Sequence, residues 1–414
     1  MRKVISIAAL AAGASALLIA TCVAQGSGQE FSQIERGRYL ATAADCVACH
    51  TIANGGKPFA GGRGIETPFG NINSPNVTPD AETGIGSWTD EQFDNAVRNG
   101  VRPDGSRLYP AMPYTSYTKM SHDDVAAIRA YLKTVEPVRH PVVVNTLPFP
   151  FNIRASMRVW DWLYFNAGEF KNDPQKSADW NRGAFLVEGP GHCTACHTPK
   201  SFLGGDKSGE HLHGSNLQGW FAPNITNDDR VGLAQWSSDD IVAYLKTGHN
   251  RFAGATGPMA EEIENSTSKL AAKDLAAMAA YLKSVPGSAE SPPPLQAGDP
   301  VMVAGEAIYR DKCSACHQLD GKGVSHLFPS LAESSGVRSR DATTLIRVIL
   351  RGARSIATAQ EPTAAGMPSF SRQLNNEQIA AVVSYVRNAW GRTAPAVAPG
   401  EVSKLRDALS IRAD

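Results

Sequence analysis

Apolar residues recur at three- and four-residue intervals in three stretches of the chain: Asp124–Val135, Asp274–Val285 and Glu377–Trp390. That spacing predicts amphipathic helices, each turning one face into a core. The stretches share a signature: Ala130-Tyr131-Leu132, Ala280-Tyr281-Leu282 and Ser384-Tyr385-Val386. Ser121, and either Asn375 or Asn376, stand where an N-cap would start the first and third. Upstream of each lies a second helical segment led by glycine: Gly37-Arg38-Tyr39-Leu40, Gly183-Ala184-Phe185-Leu186 and Gly305-Glu306-Ala307-Ile308-Tyr309. Between the two come a Gly- and Pro-rich excursion, a short helix ending at Gly100, Gly248 or Gly352, and a loop containing Met. One mainly α unit is written three times.

The repeats place the units at residues 30–136, 178–287 and 300–392. The first two are the more alike. Pro75-Asn76-Val77-Thr78 matches Pro223-Asn224-Ile225-Thr226, and Trp88 and Trp236 follow at equal distance from the Asn. The third lacks this insert. The linker 137–177 carries Pro137, Pro141, Pro148 and Pro150, then Ile153–Phe165 with Trp160, Trp162, Tyr164 and Phe165. That aromatic segment is expected to be a helix that packs between units or offers a docking face to another subunit. The linker 288–299 contains Pro292-Pro293-Pro294 and reads as a semi-rigid spacer. In the tail 393–414, Val402, Leu405, Leu409 and Ile411 fall along one helical face, which suits a membrane interface, a partner or fraying.

Residues 1–24 have a charged start (Arg2, Lys3), an apolar run of small residues and a plausible cleavage site after Ala24, as in a secretory signal peptide. Cys22 falls within it and reads as part of that signal rather than as a lipid attachment point. Export would place the mature chain in the periplasm of a Gram-negative bacterium. Lys plus Arg and Asp plus Glu both number 40, so no global basic field exists for nucleic acid.

The other six cysteines all fall in one motif: Cys46-Val47-Ala48-Cys49-His50, Cys193-Thr194-Ala195-Cys196-His197 and Cys313-Ser314-Ala315-Cys316-His317. C-x-x-C-H is the attachment signal of c-type haem. Two thiols one helical turn apart can each add to a vinyl group of one porphyrin, and the next histidine then reaches the iron. Structural zinc would need a fourth ligand nearby, and a redox dithiol needs no histidine. The expected cofactor is haem c, three times, with no cysteine left for a disulfide.

A low-spin electron-transfer haem takes a sixth ligand, and Met opposite His raises its potential. Met112 and Met259 each lie 62 residues after the motif histidine, and Met367 lies 50 after it. Each stands beside Pro, after the glycine-terminated helix and before the final helix. Met120 competes in the first unit but aligns with Leu270 and Leu374, so it reads as core. His192, His211 and His213 have no ligand pattern around them and read as packing residues.

With these residues on the page, the chain resembles the triheme cytochrome c subunits of bacterial membrane-bound dehydrogenases, those of quinoprotein alcohol dehydrogenase and of gluconate, fructose and sorbitol dehydrogenases. The likeness runs from about Glu30 to Arg392 and includes Leu108-Tyr109-Pro110-Ala111-Met112-Pro113-Tyr114 and Gly61-Gly62-Arg63-Gly64. It implies three tandem class-I cytochrome c domains. Cys46/Cys49, Cys193/Cys196 and Cys313/Cys316 would hold haem covalently, with His50/Met112, His197/Met259 and His317/Met367 as axial ligands. It also implies a non-catalytic subunit on the periplasmic side of the inner membrane, peripherally bound. Such a subunit takes electrons from a large catalytic subunit of PQQ or flavin type, with or without a small subunit, and passes them to ubiquinone. A free multihaem carrier serving a terminal oxidase, and a haem enzyme with a displaceable Met, are the alternatives. No dinucleotide fingerprint or Walker loop points to a substrate-oxidising site in this chain.

Overall fold

The computed structural model describes residues 30–53, 55–288, 295–296 and 298–410. The signal segment 1–24 with Cys22, the Pro292-Pro293-Pro294 spacer and Ile411 lie outside these residues. The first unit runs from helix α1 (residues 30–43) through α2 (Cys46–Cys49), a hairpin of β1 (Gly64–Thr67) and β2 (Gly70–Asn73), then α3 (Asp90–Asn99), α4 (Tyr114–Tyr117) and α5 (His122–Leu132). Helix α6 (Met157–Tyr164) occupies the aromatic linker. The second unit repeats the order with α7 (Ala178–Glu188), α8 (Thr194–His197), β3 (Ser215–Leu217), β4 (Trp220–Ala222), α9 (Ser238–Thr247), α10 (Pro258–Asn265) and α11 (Ala272–Leu282). The third has α12 (Pro300–Lys312), α13 (Ser314–His317), α14 (Thr343–Arg351), the ladder β5 (Ala353–Arg354) with β6 (Gly366–Met367), and α15 (Asn376–Asn388), followed by α16 (Pro399–Ser410).

The predicted final helices are α5, α11 and α15, displaced by one to three residues. Ser121 caps α5 by accepting from the Asp124 amide at 3.1 Å, and Asn375 caps α15 by accepting from the Gln378 amide at 2.8 Å. Helix α11 has no such cap. Tyr39 of the first unit supplies it, its hydroxyl accepting from the Ala271 amide at 3.1 Å and donating to Asp274 at 2.6 Å.

The glycines that lead the upstream helices mark helix crossings. A Cβ on Gly37, Gly183 or Gly305 would overlap the carbonyl oxygen of Ala127, Ala277 or Ala381 on the facing final helix. Only a bare Cα allows so close an approach. Each unit then builds its own apolar core, around Leu40, Val125 and Ile128, around Leu186, Leu275 and Met278, and around Ile346, Ile379 and Val383. The first two cores run into one another: Tyr39 and Ala43 pack in the second, and Phe185 packs against both. The hairpin β3–β4 docks on α14, where Thr344 and Phe221 exchange bonds at 2.8 and 3.1 Å and Arg347 lies over the Trp220 ring. Helix α16 buries Val402 and Leu409 in the third core. The tail's apolar face is therefore spent on its own unit and is not an interfacial membrane stripe.

Asp274 joins the first two units, because Arg182 grips it through two bonds of 3.0 and 2.7 Å while Tyr39 donates from across the junction. Burial alone would raise this carboxyl, but the Arg182 and Tyr39 bonds outweigh it and hold it below the usual range. A depressed folded pKa contributes stability above the unfolded value and loses it as pH falls through the folded one. The junction should accordingly weaken below about pH 4. Asp274→Asn should flatten that acid limb in urea titrations. The loss should be about 2 kcal/mol at neutral pH, the figure for a buried pair discounted because Arg182 is partly solvated.

Candidate functional site

Each C-x-x-C-H motif folds as a single helical turn at the end of the Gly-led helix. The three imidazoles share one partner type. His50 Nδ1 lies 2.8 Å from the Pro75 carbonyl, His197 Nδ1 2.7 Å from that of Pro223, and His317 Nδ1 3.1 Å from that of Pro329. A carbonyl can only accept, so Nδ1 carries the proton and Nε2 keeps its lone pair. Burial lowers the pKa of all three, and the carbonyl opposes it only in part, so each ring is held neutral. A neutral imidazole with a fixed tautomer is a ready iron ligand. In the first two units the Pro-Asn-x-Thr motif presents that carbonyl. Asn76 Oδ1 accepts from the Thr78 amide and hydroxyl at 2.9 and 2.8 Å, and Asn224 Oδ1 from those of Thr226 at 2.8 and 2.7 Å.

The six thiols beside these rings form no disulfide. Burial lifts Cys46 to about 12 and Cys196 to about 11. Burial thus favours the thiol over the thiolate at these two positions, unlike the activated cysteine of a redox dithiol. Among the described residues, no group of His, Cys, Asp and Glu could enclose a metal ion. His192 faces the Tyr117 ring, His211 bonds Glu188 at 2.8 Å, and His213 reaches the Pro286 carbonyl at 3.4 Å.

Met112 and Cys46 pack against one core, and Met259 and Cys193 against the next. In the third unit Met367 packs against one core cluster and Cys313 against a second, and Ile308, Leu345 and Ile349 pack against both. Met120, Leu270 and Leu374 are all buried core residues, as their alignment predicts. The backbone at the three candidate methionines differs from the expectation of three loops. Met112 sits in a turn, Met259 in the first turn of α10, and Met367 in strand β6. Pro258 at the head of α10 explains the second case, since its fixed φ suits the first position of a helix.

Haem fits what these residues leave unmet. Trp236, in the core shared with Cys193 and Met259, buries an indole N–H that has no acceptor in the protein. Arg338 Nε and Ser339 Oγ of the third unit are likewise buried without partners. A porphyrin's carboxylate arms would satisfy such donors, whose burial unpaired is costly.

The first two sites lie back to back. Arg63 donates to the Ala48 carbonyl at 2.8 Å, inside the first C-x-x-C turn, and pairs with Glu261, two residues past Met259. In return Ser116, just after Met112, meets Thr194 of the second motif at 3.4 Å. Between the sites buried Asp45 and half-buried Glu262 form a carboxyl pair. Burial, reinforced by Glu262, pushes Asp45 well above the carboxylate range, and burial raises Glu262 as well. A raised folded pKa means that folding binds a proton, so the parent loses stability as pH climbs from the ordinary carboxylate value toward the raised one. Asp45→Asn should remove the Asp45 share of that slope. Its urea midpoint should gain on the parent's on going from mildly acidic to mildly alkaline buffer, and a constant gap would contradict the buried-proton account.

Fold and sites together define a mainly α c-type cytochrome. Residues 34–136 and 302–390 match the cytochrome c family, and the second unit is built to the same plan. The chain is 38% identical over 416 residues to the cytochrome c subunit of alcohol dehydrogenase (quinone) of Gluconacetobacter polyoxogenes, covering 96% of this chain and 89% of that one. It is 40% identical to the fructose dehydrogenase cytochrome subunit of Gluconobacter japonicus (90% and 82% covered). It is 39% identical to the gluconate 2-dehydrogenase cytochrome c subunit of Pantoea cypripedii (92% and 91% covered). The chain belongs to this family of dehydrogenase cytochrome c subunits, and membership implies covalently bound haem c and electron transfer.

Several parts of the site have no local sequence signal. The carbonyl acceptors Pro75 and Pro223 lie inside motifs that stand out in the sequence, but Pro329 lies in none. Arg63, Glu261, Asp45 and Glu262 meet only through the junction of two units.

Proposed function

We propose that the chain carries three haems and serves as the electron relay of a dehydrogenase complex at the periplasmic face of the inner membrane. It would take electrons from a catalytic subunit of PQQ or flavin type and deliver them to ubiquinone. The observation that carries this reading is the threefold construction: a half-buried neutral imidazole, tied through Nδ1 to a proline carbonyl, beside two thiols in no disulfide. Bound haem would supply a one-electron ferric/ferrous couple at each site. Cys46/Cys49, Cys193/Cys196 and Cys313/Cys316 would hold it, and His50, His197 and His317 with Met112, Met259 and Met367 would supply its iron ligands. The chain's own work is to fix the imidazole tautomers, exclude water with the three cores, and hold neighbouring sites together through Arg63 and the β3–β4 hairpin. The names of its relatives support a dehydrogenase partner.

The test starts from native membranes, keeping whatever co-purifies. Ethanol, gluconate, fructose, sorbitol and an aldehyde are added one at a time while the ferrous haem band is followed. Prompt reduction by one substrate, in a preparation that contains a large subunit, is the expected result. A preparation of this chain alone, soluble and reduced by none of them, would overturn the reading.

A further inference from the structure

The linker divides its aromatic residues between two faces. Trp160 turns inward, with its ring against Tyr114 and its Nε1 donating to the Leu203 carbonyl at 2.9 Å. Val159, Trp162 and Leu163, spaced as one helical face of α6, turn outward, and Trp162 is 83% exposed. The loop that α6 touches adds Phe202, 94% exposed, and Leu203. Ser201 ties this loop to the Tyr164 hydroxyl at 3.0 Å. Phe149, 79% exposed, extends the surface on the side where Phe151 packs on Phe69 and Gly204 lies against the Phe69 ring. Large apolar side chains rarely gather so openly unless the surface is used.

Charge is distributed one-sidedly on this face. From residue 141 to 165 the charged residues are Arg154, Arg158 and Asp161. Asp161 is buried, hydrogen-bonded to Tyr114 at 2.7 Å and ion-paired with Arg107 at 3.3 Å, and Arg154 lies half-buried over the Tyr109 ring, so the charge this segment turns to solvent is Arg158. In the adjoining loop, Asp206 is paired with Lys200. The rings of Phe149, Trp162 and Phe202 project into solvent. A protein partner would have to offer a matching pocket for each projecting ring, whereas a lipid headgroup layer accepts aromatic tips without shape complementarity.

We propose that the face formed by Phe149, Val159, Trp162, Leu163, Phe202 and Leu203, with exposed Arg158 at its rim, seats the chain on a bilayer of anionic phospholipid. The rings enter the headgroup layer and Arg158 meets the lipid phosphates. The inference deepens the proposed function and rests on it for the membrane as the electrons' destination. Attachment is peripheral, made by a linker whose position between the first two units brings them close to the lipid surface.

The test uses the full-length holoprotein, sedimented with phosphatidylcholine vesicles with and without phosphatidylglycerol. The parent should bind the anionic vesicles more tightly. Trp162→Ser with Phe202→Ser should weaken that binding by about tenfold or more, from the apolar area withdrawn. Arg158→Gln should reduce only the preference for phosphatidylglycerol. All variants should keep the parent's haem content and ferrous band. A parent that stays in the supernatant, or a double variant that binds as well as the parent, overturns the proposal. So does a double variant that keeps its vesicle binding but separates from a co-purifying dehydrogenase subunit, which would make this face a protein interface. Haem content in the same samples separates the two claims: missing haem would sink the proposed function, whereas lost vesicle binding at full haem content concerns this surface alone.

Discussion

Cys193→Ala with Cys196→Ala is expected to yield a chain lighter than the parent by one porphyrin in addition to the two lost sulfurs, as read by mass spectrometry under denaturing conditions. The parent should carry three. The second unit should suffer beyond the missing group, because its core is organised around that site. Trp236 buries its N–H there, and Met259, Cys193, Leu212 and Ile225 pack on the same cluster. Without the haem those side chains face a void, and large vacancies in a core cost several kcal/mol. Proteolysis should therefore cut first within residues 178–287. The damage should spread to the first unit, whose Tyr39 and Ala43 pack in the second core and whose Ala48 turn is tied to Glu261 by Arg63. The third unit, with its own cores, should survive. A double variant with the parent's mass difference would mean that the second motif binds no haem, and the threefold reading would fail.

The second large effect belongs to Gly183. The helix crossing of α7 and α11 brings its Cα against the Ala277 carbonyl, and the obstructing atoms are backbone, which has no rotamer to escape into. Gly183→Ala should therefore push two helices apart and cost about 2–3 kcal/mol, lowering the urea midpoint well beyond the spread of surface variants. Gly209→Ala is the control, since a Cβ there meets nothing within 4 Å. If both variants melt with the parent, the crossing does not hold the unit together. Gly37 and Gly305 make the same approach in the other units, so their alanine variants should repeat the result.

Much of this design is legible along the chain. Helix periodicity, the Ser121 and Asn375 caps, the glycines at the crossings and the cysteine–histidine turns are local patterns, set by residues within a turn or two of each other. Repetition adds a further signal: Met120 is read as core because Leu270 and Leu374 stand at its place, and all three are buried. Other readings needed contacts that no local pattern encodes. Helix α11 lacks a side-chain cap of its own, and the hydroxyl that caps it comes from Tyr39, 232 residues away. The tail's narrow apolar stripe has the same periodicity whether it meets lipid or the third core. Packing against α14 and α15 decides the matter.

The sequence by itself determined the class of the protein, its three C-x-x-C-H turns and the repeating helical unit, because that motif and helix amphipathicity both depend on close spacing in the chain. The tertiary structure alone decided how the sites are finished and joined. Proline carbonyls set the tautomers of His50, His197 and His317. Arg63 spans two units to reach Glu261, and Asp45 and Glu262 form a carboxyl pair between two sites. One side of α6 is covered while the other is left to solvent. Burial and charge pairing are properties of surfaces brought together in space, and residues far apart in the chain acquire them only when the units pack.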